Sequence, residues 1–574
     1  MGSAAGTAAG PFSFLSESRS AYRTLGTLLA PELQAITPDA PLPMNSITLM
    51  LVAPLACSTL LAAAVSAAVP QNDPGPTVRW EVDDNFGRWI GTDVALGDNG
   101  AVIIASHEWN TPGIAVHTTA DEQTILDFPL PDTWQIRVDA ARAAETLAAI
   151  AVQYESQSTG SSLWAELKVW KTARDGHPDW VYRFPPTGNY LVDGMDVLIT
   201  DDGQRIVAFF TDVDNRLVEL RVFDVNGQVL LDHQVTRPFN SVNADAAELS
   251  ADGRWLLLDV SSRPALIDLD SGIEVRSWDH HSLYGGMAIS GDGNRVAIGA
   301  DEYAEVWERN PQGRFTRLKR WDFGRDRTAG EMALDHDGSH LAMTVMDNTE
   351  WFQVRVKDLN QDLEVYRHEF AAPGNGVKLW PSEIEMTEDA QIVVGASWGD
   401  SFDLTPTGFA FDGLGQLTAE IRTPGSALAC DMDPTGQVMA FSTKRAHVNE
   451  FGAGGQVICA DTRPVELRVA GYPQAGAKIE FSLTGAATEA RVAVAHQLGA
   501  GATPWGVSQL DLTSVLYETG PLPMTASSLQ RRLTLPDHSG LIGTALHFQG
   551  VLLDSTGAAS GGVLTNRVSV RVLP

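Results

Sequence analysis

The stretch "AISGDGNRVAIGA", residues 288–300, holds a short apolar run, an Asp-Gly pair and a second apolar run. Asp-Gly between apolar runs predicts a tight β-hairpin, because the pair supplies the positive φ angles such a turn needs. The same phrase recurs as "ALGDNGAVIIAS" from 95, "LITDDGQRIVAFF" from 198, "ELSADGRWLLLDV" from 248 and "ALDHDGSHLAMTV" from 333. Looser copies are "DAARAAETLAAIAV" from 139, "EMTEDAQIVVGAS" from 385 and "DMDPTGQVMAFST" from 431. Their turn positions are Gly100, Ala144, Gly203, Gly253, Gly293, Gly338, Ala390 and Gly436. Four residues earlier stand Leu96, Ala140, Ile199, Leu249, Ile289, Leu334, Met386 and Met432, and the residues six before the turn are apolar or Cys as well. A period of two kept through eight copies is a strand signal.

Each hairpin is followed by a third apolar stretch, such as "LRVFDVNG" or "ALIDLDSG", and then by a fourth bearing aromatics: "DWVYRF" at 179, "EVRSWDH" at 274, "RLKRWDF" at 317, "EVYRHEF" at 364. Four strands per unit, at intervals of 40 to 59 residues, is the period of a β-propeller blade. Residues 78–463 on this pattern resemble the WD40/YVTN-type propeller family. The expected fold is all-β: an eight-bladed propeller over 77–463, with "TVRWEVDD" at 77–84 as the outer strand of the last blade. The Ala-Ala turn of the second copy leaves seven blades as the alternative. After "ICADTRP" the chain becomes rich in small residues, and alternation in "AKIEFSL" and "RVSVRVL" predicts a small β-sandwich-like domain over 464–574. "PWGVSQLDL" and "TNRVSVRV" resemble C-terminal β-modules of proteins secreted by aquatic bacteria.

The formal net charge is −32, from 72 acidic residues against 40 Lys and Arg, which disfavours a nucleic-acid partner. "ITLMLVAPLACSTLLAAAVSAA" ends in small residues, so 44–70 is expected to be a signal peptide and 1–43 a non-native extension. The rival is a single membrane anchor. Cleavage implies a secreted or cell-surface chain, monomeric, without stable membrane insertion. Of the three cysteines only Cys430 and Cys459 would then remain, and the hairpin register places them two strands apart, too far to bridge.

Catalytic motifs are sparse. "GASWG" at 395–399 matches a nucleophile elbow, but strand and loop follow Ser397 where a helix is required. "DVDN" at 212, "DLDSG" at 268 and the pair His280–His281 read as solvated loops rather than metal sites. The connections from each outer strand to the next inner strand differ among blades and carry aromatics, which is how a binding face looks. The expected ligand-binding set is Trp89, Trp134, Tyr190, Tyr284, Arg325, Lys378 and Trp380, with Asp93, Arg137, Asp196, Glu331 and Glu383 as charges at the channel mouth. The partner class is an unidentified protein, small molecule or glycan, with no cofactor. The alternative is a propeller enzyme, a lactonase or quinoprotein-like oxidoreductase, with a divalent cation or cofactor at that mouth.

Overall fold

Eight antiparallel four-stranded sheets account for the eight repeats. The computed structural model describes residues 78–571, apart from short loop stretches, chiefly 186–193, 237–243, 280–285, 372–378, 400–404 and 449–453, and most connections after 463. Blades 1 to 7 span 89–129, 133–183, 195–236, 244–277, 287–322, 327–371 and 381–421, each with its strands in chain order from the inner to the outer edge. The second copy, despite its Ala-Ala turn, makes a complete sheet from Thr133–Ala140, Leu147–Gln157, Gly160–Trp170 and Trp180–Arg183. The count is eight. Blade 8 takes Ser426–Met432, Val438–Lys444 and Gly455–Asp461 from one end of the ring and Val78–Asp83 from the other. Val78–Asp83, here called β1, pairs antiparallel with Gly455–Asp461, with Trp80 opposite Cys459 and Val82 opposite Val457. Closing a ring with both ends of the repeat region removes a free sheet edge.

The blade 1 turn has the positive φ angles expected, at Asp98 and Asn99, but the blade 5 turn differs. Within its turn, 290–293, only Gly293 has positive φ, +68°, and its N–H donates to the Ser290 carbonyl at 2.8 Å. This is a type I turn closed by a left-handed residue, a loop that favours Ser, Asp or Asn first and Gly last. Asp292 contributes its carboxylate instead of its φ: it accepts from Ser290 Oγ at 2.7 Å and from Asn294 N at 2.9 Å. The Ser290 hydroxyl in turn accepts from Arg295 N at 2.9 Å. Thr200–Asp202, Ser250–Asp252 and Thr387–Asp389 repeat the contact at 2.7, 2.6 and 2.8 Å. In blades 3, 4, 5 and 7 the refrain therefore reads hydroxyl, any residue, Asp, then Gly or Ala.

Middle strands are buried on both faces. Arg205–Asp212 is buried along nearly its whole length, whereas the outer strand Val229–Thr236 is mostly exposed. Hydrophobic clusters lie between blades: Phe209 and Val222 of blade 3 pack with Leu256 and Leu258 of blade 4, and Phe352 of blade 6 with Phe409 of blade 7. Each such ring or branched chain contributes about 1.5–3 kcal/mol. Cys430 and Cys459 are buried and unbridged, on the first and third strands of blade 8. Burial raises both thiols, Cys459 to about 12, so neither is a thiolate at neutral pH.

The strands after 463 form two main sheets. One joins Glu466–Ala470, Lys478–Thr484 and Ser528–Thr534; the other is built on Glu489–Ala495, Ala545–Leu553 and Gly562–Arg571. Phe481 and Leu483, and Val492, Val494, Leu546 and Phe548, are buried at alternate positions, the two-layer pattern expected of an all-β module. The expected extension 1–43 and signal peptide 44–70 lie outside the described residues.

Candidate functional site

The inner strand of each blade has one edge with no neighbouring strand, so its N–H groups need acceptors from elsewhere. Carboxylates from the preceding blade supply them. Asp93 Oδ2 accepts from Val138 N at 3.0 Å, Asp139 Oδ2 from Ile199 N at 2.6 Å, Glu383 Oε2 from Cys430 N at 2.9 Å and Asp431 Oδ2 from Leu96 N at 2.6 Å. Each contact steps from one blade to the next, and the last crosses from blade 8 to blade 1. Two of the expected mouth charges, Asp93 and Glu383, are thus part of the ring's own bonding.

All eight blades line a central cavity of about 180 Å³. Its wall carries the carboxylates of Asp93, Asp139, Asp201, Glu248, Glu383, Glu385, Glu388 and Asp431, against Arg142 and His336. Arg142 belongs to the turn of the aberrant second copy, and its Nη2 lies 3.5 Å from Glu385 Oε2 of blade 7. Burial opposes its charge, but Asp431, Glu385, Asp201 and Asp139 outweigh that and hold the guanidinium above its ordinary range. Burial drives Asp431 up to about 7; Arg142 opposes this and Glu385 reinforces it. Asp201 is raised for the same first reason. The turns around this end are stitched together through backbone: Asn99 N to Arg142 O, Asp292 N to His336 O and His336 N to Glu388 O, at 2.7–3.1 Å.

The opposite end carries the connecting loops. Trp89 and Trp380 are only 7 % and 6 % exposed. Trp89 stacks on His107 with centroids 4.1 Å apart, and Trp380 on Trp398 at 5.7 Å. Neither presents a ring to solvent, contrary to the exposed anchors expected, because the gap between diverging blades is filled by these large side chains. Among the described residues the ring that emerges is Trp109, opposite Trp89 in the strand register, 40 % exposed and at φ +101°. Beside it, Thr111 N and Asn110 Nδ2 donate to the carbonyls of Arg88 and Gly87, and the Arg88 side chain is 59 % exposed. Arg325 is exposed in the turn after blade 5. Arg137 points to buried Glu108 at 3.7 Å; burial raises that carboxyl and Arg137 opposes the rise. Asp196 is buried with Val197 N on its Oδ1 at 2.9 Å, and Glu331 is half-buried. Tyr190, Tyr284, Lys378, His280 and His281 lie outside the described residues, as does the Trp134 side chain.

No protein-family model matches the chain, and the comparison with curated proteins gave no match. Among solved structures, the chain is similar to KlHsv2 with loop 6CD replaced by a Gly-Ser linker, at 12% identity and TM-score 0.37, covering 56% of this chain and 93% of that one. It is also similar to the Dos1 propeller, at 9% identity and TM-score 0.45, covering 67% and 96%. The blade count and ring closure rest on the strand pairing described above.

Three constellations that suggest catalysis resolve otherwise. Ser397 is fully buried and donates to the Pro406 carbonyl at 2.8 Å. Ser339, His340 and Asp335 meet in the blade 6 turn, but Ser339 Oγ and His340 Nδ1 both reach the same oxygen, Asp335 Oδ2, at 2.7 and 2.9 Å. A nucleophile needs the histidine between it and the carboxylate, so this is a turn network. Asp268 accepts from Asp270 N at 3.1 Å and Arg254 Nη2 at 3.2 Å within its own hairpin. Among the described residues, no three His, Cys, Asp or Glu side chains converge as a metal-ligating group.

Proposed function

We propose that the protein is a binding scaffold whose loop face, not its turn face, meets the partner. The observation that carries this is Trp109: a bulky residue held at positive φ with its ring partly in solvent, on a rim shared with Arg88. A strained, exposed aromatic is costly for the fold, and large aromatics beside arginine supply contact area at low entropic cost. Arg325 extends the same face in this reading, and Tyr190, Tyr284 and Lys378 are the sequence-based candidates for it. The partner is a protein or a small molecule or glycan, not a nucleic acid, given the charge of −32. We further read the chain as an exported, monomeric relative of WD40/YVTN-type propellers, with 44–70 removed and 464–574 serving attachment. Binding screens against soluble glycans and extracellular proteins, run in parallel on wild type and Trp109→Ala, test the loop face. A ligand weakened about thirtyfold in the variant, roughly 2 kcal/mol, supports it, and one bound equally by both removes it.

The eight carboxylates around the cavity favour a second reading, a propeller enzyme with a divalent cation or cofactor at the channel. Against it, Asp93, Asp139, Glu383 and Asp431 are already engaged by backbone N–H groups. A stoichiometric metal in the purified protein would establish the enzyme over the scaffold.

A further inference from the structure

We propose that the seam between blades 8 and 1 is an acid-sensitive latch, in which protonation of His107 and His117 releases β1 from the ring. Every seam of the propeller is a packed apolar layer, and that between blades 3 and 4 is built from Phe, Leu, Ile, Val and Ala. The seams between blades 4 and 5 and between blades 6 and 7 add Trp255, Trp278, Trp380 and Trp398, and His368 of blade 6 lies 5.0 Å from Phe411 of blade 7. The closing seam contains Trp80 of β1, which lies 5.5 Å from His117 of blade 1, and Trp89, itself of blade 1, which packs in the same cluster and stacks on His107 at 4.1 Å. Trp80 also donates its indole N–H to the Thr119 carbonyl at 3.1 Å, so β1 is docked on the strand end that carries His117.

Both histidines are held neutral by their surroundings. His117 is 2 % exposed, with Thr124 Oγ1 at 3.1 Å from Nδ1. The Nε2 atoms of both rings have no hydrogen-bond partner among the described residues. A doubly protonated ring puts an N–H on Nε2 and would bury it without an acceptor, which the interior opposes. The charged and titratable groups around them do not compensate. Asp84, from the segment after β1, faces His107 but already accepts from Arg88 N and Nε and from Trp89 N. Glu122, through its backbone, and Asp127 face His117. Of the blade 8 cations, Arg79 is committed to Asp461 at 2.7 Å, Arg445 pairs with Asp83 of β1, and Lys444 donates to the His447 and Val448 carbonyls. Burial is the first cause in both cases and lowers His107 to about 3 and His117 to about 4, and His117 further lowers His107.

The sign follows from linkage. With folded values below the ordinary 6.5, the closed seam binds fewer protons than the open one. The latch is fully held above about pH 6.5 and is progressively lost as pH falls from there toward 4. Between pH 7.5 and 5 the open fraction rises roughly thirtyfold for each histidine. β1 is the element that yields, because it is an outer strand paired on one side only.

Hydrogen exchange of the full chain at pH 7.5 and 5.0, corrected for intrinsic rates, reads this at residues 78–83. The expected result is a loss of protection there of about thirtyfold or more at pH 5.0, larger than in the other outer strands, and absent in the His107→Gln/His117→Gln variant. Equal protection at both pH values, or the same loss in the variant, overturns the latch. Should the variant not fold, a proton titration of the wild-type ring signals decides: neutral rings at pH 5.5 support the latch, and titration near 6.5 overturns it.

Discussion

The two ends of the ring are built on opposite principles. At the turn end, one short phrase repeats, its hydroxyl and Asp side chains bond within the turns of blades 3, 4, 5 and 7, and neighbouring turns hydrogen-bond to one another. At the loop end, connections differ in length and composition, and the aromatics divide between packing, as Trp89 does, and exposure, as Trp109 does. Repetition marks what holds the ring together; departure from repetition marks what each blade adds. Arg142 obeys this as well. It sits in the least regular hairpin and reaches a carboxylate of blade 7.

The most damaging test of that division is Trp89→Ala. The ring is nearly buried against His107, so its removal should cost about 4 kcal/mol in chemical denaturation. A loss under about 1 kcal/mol would place Trp89 with the exposed anchors instead. Arg142→Met should cost on the order of 2 kcal/mol, because a partly solvated ion pair breaks and the channel carboxylates lose their counter-ion. Added salt should restore part of the loss by screening those carboxylates. A variant indifferent to salt would show that Arg142 does not neutralise them.

Asp431 sharpens the electrostatic side. Its folded value of about 7 exceeds the ordinary 3.8, so the folded state binds the extra proton and stability falls as pH rises from about 4 to 7. Asp431→Asn should therefore gain on wild type across that window, by on the order of 2 kcal/mol, and hold the gain above it. Denaturation midpoints at pH 4, 5.5 and 7.5 measure the trend, and a difference independent of pH contradicts it. The smallest effect is expected at Trp109→Gly. Glycine accepts φ +101° without strain, so thermal stability should rise by about 1 kcal/mol although a tryptophan is lost. A large destabilisation would move Trp109 to the packing side of the comparison.

Much of the scaffold was legible in the chain. Eight phrases specified eight hairpins, and "TVRWEVDD" specified the strand that completes blade 8. The Asp before the turn position was visible in most copies, but its work was not: in blades 3, 4, 5 and 7 its side chain makes the turn, whereas in blade 1 Asp98 and Asn99 supply positive φ. The site was far less legible. Trp89 and Trp109 face each other across one pair of strands, and nothing local distinguishes the packed ring from the exposed one. The period of two that identifies a strand ordinarily also tells inside from outside, because one face of a sheet meets water. In a blade both faces of the middle strands meet neighbouring blades, so alternation identifies the strand and is silent about exposure. The sequence by itself determined the repeat and the hairpins, which depend on neighbours along the chain, and marked 77–84 as the strand that closes the ring. Only the tertiary structure decided which carboxylates serve the next blade's N–H groups, where Arg142 reaches and which histidines lie in the closing seam. Those contacts join residues tens to hundreds of positions apart, and ring closure alone brings them together.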